Sequence, residues 1–263
     1  MLLREVRYAR PGSVREAVEL LAAHVDARAL AGGQTLLNVM KARVASPEIL
    51  VDLNGLDDLR TIRRADDGAL ELGAMATYAD IERSEEAAAR PILARVVSQI
   101  ADVQVRNRGT IGGNVCSSDP TNHLPPLMAA LGATFTIAGL SGERVVPAAE
   151  FFVGVYMTAV GPGELLTKVT LPPSDGRDGF ASVTIGRDGT CIVCAAAHVA
   201  NGTARVALGC VDAVPVLITA APERIREAVS GTSFEPPSDV HASAEYRRHL
   251  AQAVADRAVA EAA

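Results

Sequence analysis

Residues 106–120 read RNRGTIGGNVCSSDP and place three glycines within five positions, directly after a predicted helix. A second glycine pair stands in AGGQT at residues 31–35, where a predicted strand ends. Glycine lets the main chain approach a ligand without an intervening Cβ, and consecutive exposed N–H groups form a concave anion site. Short polar side chains follow each pair, Gln34 and Thr35 after the first and Asn114 after the second. The two segments therefore predict either tight turns or a cradle for a diphosphate.

Neither segment matches a common nucleotide motif, because the chain has no G-x-G-x-x-G after its first strand and no G-x-x-x-x-G-K-[ST]. Hydrogen bonds to a charged group contribute roughly 1.5–3 kcal/mol each, so about four or five of them can hold a dinucleotide without a lysine.

Composition limits the function classes. A chain of 263 residues with 49% hydrophobic content can form one large domain or two modest ones. The net charge of −6 and the interspersed basic residues disfavour nucleic-acid binding. The chain contains no run of 18 apolar residues, so no transmembrane segment is predicted. The stretch MLLREVRYARPGS does not resemble a signal peptide. We therefore expect a cytoplasmic protein.

The four cysteines are too few and too scattered for a disulfide framework. Cys191 and Cys194 have C-x-x-C spacing in TCIVCAAAHVA, but that stretch is typical of a strand. Residues three apart on a strand point to opposite faces and cannot chelate one ion. The pattern favours buried, reduced thiols over metal ligands. His198, in the same apolar strand, is predicted to be a hydrogen-bonded core residue and not a catalyst.

Local signals divide the chain into a mixed α+β region and a smaller sheet-and-helix domain. Ser13 with Glu16 predicts a helix start, and one helix is predicted from Pro91 to the glycine block. Residues 172–176, PPSDG, predict a linker. Three strands in FASVTIG, CIVCAAAHVA and ARVALGCV follow it, and then a helix with an apolar stripe of Tyr246, Leu250, Val254 and Ala258.

Five segments together resemble, in order and over essentially the whole chain, the FAD-binding medium subunit of molybdenum hydroxylases, the family of carbon monoxide dehydrogenase and xanthine dehydrogenase. They are ALAGGQTLLNVMKARVASPEILVDLNGL, LELGAMATYADIE, IADVQVRNRGTIGGNVCSSDP, ELLTKVTLP and SAEYRRHLAQAV. The resemblance implies an α+β fold. An FAD-binding domain of the vanillyl-alcohol-oxidase (PCMH) type would span residues 1–173, with subdomains at about 1–56 and 57–173. A small domain of three-stranded antiparallel sheet and helices would span residues 174–263.

The resemblance also implies a site for non-covalent FAD. Ala31 to Leu36 would form the first loop over the diphosphate, Thr110 to Asn114 the second, and Leu166 would pack near the isoalloxazine. Ile100 and Ala101, at the end of the preceding helix, would line the cleft. The implied contacts are Leu30, Ala31, Gly32, Gly33, Gln34, Thr35, Leu36, Ile100, Ala101, Thr110, Gly113, Asn114, His123 and Leu166. No catalytic residue and no metal ligand is expected in this chain.

Two positions depart from the family pattern. His123 stands where relatives carry an aspartate that accepts hydrogen bonds from the ribityl chain, and a neutral imidazole accepts one such bond without supplying charge. His123 is therefore either a ribityl contact or a structural histidine. In the first hairpin of the small domain, Arg187 is the single basic residue where relatives carry a lysine and paired arginines, so no flavin contact is expected there.

The function implied is electron transfer. Substrate would be oxidised at a molybdopterin centre on a large subunit, and two [2Fe-2S] clusters on a small subunit would pass the electrons to this FAD and then to an external acceptor. The complex would be a dimer of heterotrimers. Two alternatives remain: a free-standing flavin oxidoreductase of the same fold, and an assembly subunit whose FAD site has decayed.

Overall fold

A computed structural model describes residues 3–186 and 189–263, so Arg187 lies outside the described residues. The first unit is a parallel sheet of three strands in the order β1-β3-β2. Its elements are β1 (Arg7–Ala9), α1 (Val14–Ala23), β2 (Ala27–Leu30), α2 (Leu36–Lys41) and β3 (Ile49–Asp52). The predicted start of α1 is confirmed, because the Ser13 hydroxyl accepts the Glu16 N–H at 3.1 Å.

The second unit is an antiparallel sheet of five strands in the order β4-β5-β10-β6-β7. Its strands are β4 (Ile62–Arg64), β5 (Leu70–Gly73), β6 (Thr134–Gly139), β7 (Gly142–Pro147), β8 (Phe152–Gly154), β9 (Met157–Thr158) and β10 (Leu165–Leu171), of which β8 and β9 form a separate pair. Its helices are α3 (Tyr78–Arg83), α4 (Pro91–Val97), α5 (Val103–Arg106), α6 (Ile111–Ser117), α7 (Leu124–Leu131) and α8 (Ala148–Phe151). Residues of α4, α6 and α7 form one buried core with this sheet.

The single helix predicted from Pro91 to the glycine block is wrong, because the chain forms α4 and α5 with a break between them. Ala101 has a φ of +46°, a left-handed backbone that ends the helical path. Asp102 then starts a new helix, since its carboxylate accepts the Val105 N–H at 2.8 Å.

The third unit is an antiparallel sheet of four strands in sequence order, covered by two helices. Its elements are β11 (Arg177–Thr184), β12 (Cys191–Ala200), β13 (Thr203–Gly209), β14 (Val216–Ala220), α9 (Ile225–Gly231) and α10 (Ala244–Glu261). The predicted number of three strands is therefore too low. The additional strand, β14, is a short edge strand that lies between Pro215 and Pro222, and flanking prolines are typical of edges.

The last helix, α10, is present as predicted, and Val254 and Ala258 of the predicted stripe are buried, whereas in the first two turns the most buried positions are Arg247 and Ala251 instead of Tyr246 and Leu250. Tyr246 is half exposed, whereas Arg247, Ala251, Val254 and Ala258 are buried against the third sheet. Arg247 can be buried because its Nη2 donates to Asp239 at 2.7 Å and its Nη1 donates to the carbonyls of Ile192 and Cys210.

The cysteines of β12 do not point to opposite faces, so that part of the sequence analysis is wrong. Val183 pairs with Val193 and Thr184 with Cys191, which leaves Ile192 as a bulge. One extra residue reverses the side-chain alternation, and Cys191 and Cys194 therefore share a face. Their Sγ atoms and that of Cys210 all lie within 4.8 Å of one another. The predicted burial of these three thiols is confirmed.

A buried ionic network joins the second and third units. Arg90 Nε lies 2.9 Å from Asp178 Oδ2, and Arg90 Nη1 donates to the Pro172 carbonyl at 3.1 Å. His198 Nδ1 lies 2.7 Å from Asp178 Oδ1, and its Nε2 lies 2.9 Å from Asp175 Oδ1. His198 is thus a hydrogen-bonded core residue, as predicted.

Replacing Arg90 with methionine is expected to lower the free energy of unfolding by about 3–5 kcal/mol, because Asp178 would stay buried without its cation. Arg226→Met is the matched control, since Arg226 and Asp256 form an exposed pair worth at most about 1 kcal/mol. Urea denaturation of both variants measures the difference. Losses of similar size would show that the buried network does not stabilise the junction.

Candidate functional site

The structure brings the two glycine segments into contact. A Cβ added to Gly32 would lie 2.1 Å from the Arg108 carbonyl oxygen and 3.0 Å from the Gly109 Cα. A Cβ on Gly113 would lie 3.6 Å from that of Ala31. The two main chains can approach this closely only because Gly32 has no side chain.

The first segment presents consecutive unused donors. Within the part of the chain that the structure describes, the N–H groups of residues 32–36 donate to no protein acceptor. Gly33 has a φ of +72°, which turns the chain into α2. Side chains hold the carbonyl groups of the segment in place, since Asn54 Nδ2 donates to the Ala31 oxygen at 3.1 Å and Gln34 Nε2 to the Gly32 oxygen at 3.0 Å. Consecutive free N–H groups of this kind can form a concavity that binds anionic oxygens.

The second segment is the start of a helix and not a loop. Thr110 caps α6, and its Oγ1 accepts the Gly113 N–H at 3.1 Å. The N–H groups of Ile111 and Gly112 donate to the carbonyls of Ala76 and Ala74, at 3.0 and 2.9 Å. The Asn114 N–H donates to Thr110. These four N–H groups are therefore already used, and Gly109 and Gly112 serve close packing.

Close packing is visible at two of these glycines. A Cβ on Gly112 would lie 2.6 Å from the Ala74 carbonyl oxygen, and one on Gly109 would lie 2.7 Å from the Tyr78 ring. The helix start is thus pressed against the end of β5 and the first turn of α3. Gly113 is different, because its nearest neighbour outside its own turn is the Ala31 side chain at 3.6 Å.

Asn114 has one unused hydrogen-bonding atom. Its Nδ2 lies 2.9 Å from the Tyr78 hydroxyl oxygen, and burial raises the pKa of Tyr78 to about 12, so this phenol stays protonated. The Oδ1 of Asn114 is buried and has no hydrogen-bond partner among the described residues. A buried acceptor without a donor costs about 1–3 kcal/mol, which a ligand hydroxyl or N–H group would recover.

Two side chains that support these segments, Asn54 and Tyr78, were not predicted from the sequence. Asn54 follows the buried strand β3 in LNG, and its Nδ2 also donates to the Asp52 carboxylate. Tyr78 follows Thr77, which forms a capping box with Asp80. The turn residue and the helix cap were available as signals, but the sequence does not show which distant segment each side chain contacts.

The remaining predicted residues lie on neighbouring elements. Ile100 and Ala101 form the break between α4 and α5, and Arg106 Nη1 donates to both of their carbonyls, at 3.2 and 2.7 Å. Leu30 ends β2. Leu166 is buried in β10, in the same core as Ile111 of α6.

His123 lies at the start of α7, against the third unit. Its ring is edge-on to the ring of Phe180, with 5.3 Å between centroids. The Nε2 atom is buried and has no hydrogen-bond partner among the described residues, and burial lowers the pKa of the imidazole. His123 is therefore neutral at pH 7 and has an unused polar atom.

Residues 4–174 match the family model described as the FAD binding domain in molybdopterin dehydrogenase. The chain belongs to this family. It is 36% identical to the carbon monoxide dehydrogenase medium chain of Afipia carboxidovorans over 281 residues, which cover 97% of this chain and 96% of that one. It is 33% identical to the nicotine 6-hydroxylase medium subunit of Paenarthrobacter nicotinovorans, over 100% of this chain and 99% of that one.

A solved structure of carbon monoxide dehydrogenase from Hydrogenophaga pseudoflava superposes with a TM-score of 0.93 at 34% identity, over 100% of this chain and 98% of that one. The predicted α+β fold with an N-terminal FAD-binding domain of the PCMH type is confirmed. Relatives of this chain in the molybdopterin dehydrogenase family are subunits of oxidoreductases. No helix of the described residues is long and apolar enough to cross a bilayer.

The glycine segments fit the cofactor of the molybdopterin dehydrogenase family. FAD carries a diphosphate, which needs hydrogen-bond donors, and a ribityl chain, whose hydroxyl groups need acceptors. The free N–H groups of residues 32–36 supply the donors, and Asn114 Oδ1 is an acceptor without a partner.

Adjacent glycines of α6 are expected to respond differently to alanine. Gly112→Ala forces a Cβ against the Ala74 backbone and should destabilise the protein by about 1–3 kcal/mol. Gly113→Ala meets only side chains, and the higher helix propensity of alanine, about 1 kcal/mol, offsets that contact, so stability should change little. Urea denaturation measures both. Equal losses would contradict the packing role assigned to Gly112.

Proposed function

We propose that this chain is the FAD-binding electron-transfer subunit of a molybdenum hydroxylase. The observation that carries the proposal is the row of free N–H groups at residues 32–36, which lies against the start of α6. The family membership of residues 4–174 supports the same conclusion. FAD, when bound, accepts electrons from iron–sulfur clusters and passes them to an external acceptor.

The protein's own residues bind and orient the cofactor non-covalently. Residues 31–36 hold the diphosphate through the free N–H groups of residues 32–36. Leu30, the last residue of β2, directly precedes this loop. Gly113 leaves the space beside Ala31 open, and Asn114 Oδ1 accepts from the ribityl chain. Thr110 acts through α6, since its hydroxyl fixes the first turn of that helix. Ile100, Ala101 and Leu166 supply the apolar wall.

The predicted ribityl contact of His123 stays a prediction. Its Nε2 is buried, as Asn114 Oδ1 is, but its ring packs edge-on against Phe180 of the third unit. The set of residues proposed above does not depend on it.

The proposed partners are an iron–sulfur small subunit with [2Fe-2S] clusters and a molybdopterin-binding large subunit, assembled as a dimer of heterotrimers. The relatives named medium chain and medium subunit support a multi-subunit complex. The proposed location is the cytoplasm, where the buried thiols of this chain would stay reduced. The substrate would be bound by the large subunit.

The first experiment is an absorption spectrum of the purified chain, with and without added FAD, followed by release of the cofactor on denaturation. We expect flavin bands and about one releasable FAD per chain. Gly113→Val should lose the flavin while the circular dichroism spectrum is kept, because the side chain would extend into the space beside Ala31. Gly231→Val is the control, since no heavy atom lies within 4 Å of its added Cβ.

The two alternatives give different results. An assembly subunit with a decayed site would stay colourless after incubation with FAD. A free-standing oxidoreductase would turn over a small substrate without partner chains. Within the intact complex, Gly113→Val should keep substrate-dependent reduction of the iron–sulfur clusters and lose electron delivery to the acceptor. Full flavin content in that variant would contradict the proposed cradle.

A further inference from the structure

Three buried thiols converge on the face of the third sheet that packs against α7. Cys191 and Cys194 lie on β12, on either side of the bulge at Ile192, and Cys210 directly follows β13. Their Sγ atoms lie within 4.8 Å of one another. The proposed FAD cradle uses none of them.

This spacing fits a thiophilic metal. Zinc holds thiolates at about 2.3 Å in tetrahedral geometry, so the sulfur atoms of such a site lie roughly 3.8 Å apart. Buried cysteines more often act as small apolar side chains. What distinguishes this cluster is that two polar side chains beside it, His123 and Arg247, each have a buried nitrogen without a hydrogen-bond partner among the described residues.

His123 is the candidate fourth donor: its ring nitrogens are not among the ligand atoms that all lie within 4.8 Å of one another, so the ring must move toward the sulfur atoms when a metal binds. The side chain is more than nine-tenths buried, lies within electrostatic range of Cys210, and is neutral, the form in which an imidazole binds a metal. Its Nε2 atom makes no hydrogen bond with any described residue. The ring is held by Phe180, which pairs across to Ala196 on the same sheet. Zinc sites with three cysteines and one histidine are a common structural type.

Arg247 supplies the charge that such a site needs. Three thiolates and one Zn²⁺ leave a net charge of −1, which is costly to bury without a cation. The Arg247 guanidinium lies beside the cluster, because its Nη1 donates to the carbonyl of Cys210 at 3.3 Å and to that of Ile192. A cavity of about 10 Å³ adjoins Cys210 and is lined by Asp119 and Pro126.

We propose that Cys191, Cys194 and Cys210 bind one Zn²⁺ ion, and that His123 Nε2 becomes the fourth ligand when its ring moves toward the three sulfur atoms. His123 belongs to the FAD-binding domain and the cysteines belong to the third sheet. The ion would therefore link the FAD-binding domain to the third sheet at the start of α7. This is a structural site, separate from the proposed flavin cradle.

The test is the metal content of the full-length chain, purified under reducing conditions and incubated with ZnCl₂, then dialysed. We expect about one zinc per chain by atomic emission, and loss of that zinc in Cys194→Ser and Cys210→Ser. Cys116→Ser is the matched control and should keep it, since Cys116 lies in α6 outside the cluster. Cobalt in place of zinc should give the visible bands of a tetrahedral thiolate site, which reports on the ligands even where a variant is less stable.

His123→Ala separates the two roles considered for this residue. As a metal ligand, its loss should lower zinc affinity by roughly tenfold or more while FAD content stays at the wild-type level. Retained zinc with lost flavin would overturn the fourth ligand. If the reduced wild-type chain binds no zinc, the site itself is overturned. This holds both when titration finds four free thiols and when a mass lower by two hydrogens shows that a disulfide has formed.

Discussion

The contact between main chains at Gly32 and Arg108 is the constraint on which the site depends. It presses the turn after β2 against the segment that leads into α6, and no side chain larger than hydrogen fits between them. The start of α6 is fixed in turn by N–H groups that donate to Ala74 and Ala76. Because the N–H groups of residues 111–114 are used in this way, the first segment supplies most of the donors left for a ligand. Gly32 and Gly112 serve close packing, whereas Gly113 leaves space beside Ala31.

The sequence predicted those features that depend on contacts between residues close together in the chain. The cap at Ser13 is present because it depends on neighbours within a few residues, and residues 172–176 lie between β10 and β11, outside any strand or helix. The break at Ala101 was missed although Asp102, whose carboxylate caps the next helix, was a local signal for it. The bulge at Ile192 was missed because it depends on pairing with β11. The same limit explains the helix start at Ile111: its acceptors lie more than 30 residues earlier in the chain. Resemblance supplied the cofactor, which periodicity and spacing alone left open.

Arg90 and Arg247, two buried arginines that contact the third unit, are surrounded by partners of the same kind, a carboxylate and main-chain carbonyl groups. Arg90 is buried where Asp178 and the Pro172 carbonyl surround it, and Arg247 is buried where Asp239 and two carbonyls do so. Adjacent basic residues on a helix, such as Arg247 and Arg248, normally indicate a face exposed to solvent. Arg247 departs from that pattern because α10 covers the end of the bulged strand β12. Partners for a buried guanidinium come from the tertiary structure, so its position cannot be recognised from the helix sequence.

Buried polar atoms without a hydrogen-bond partner mark places where a ligand could bind. Native proteins satisfy nearly all such atoms, so each exception requires an explanation. Among the described residues five buried side-chain atoms have no hydrogen bond, and two of them, Glu71 Oε2 and Arg90 Nε, have ion-pair partners. The other three are Asn114 Oδ1, His123 Nε2 and Arg247 Nε. The first lies at the glycine segments and the other two lie beside the three thiols. Asn114 Oδ1 would be satisfied by the proposed cofactor and His123 Nε2 by the proposed metal ion.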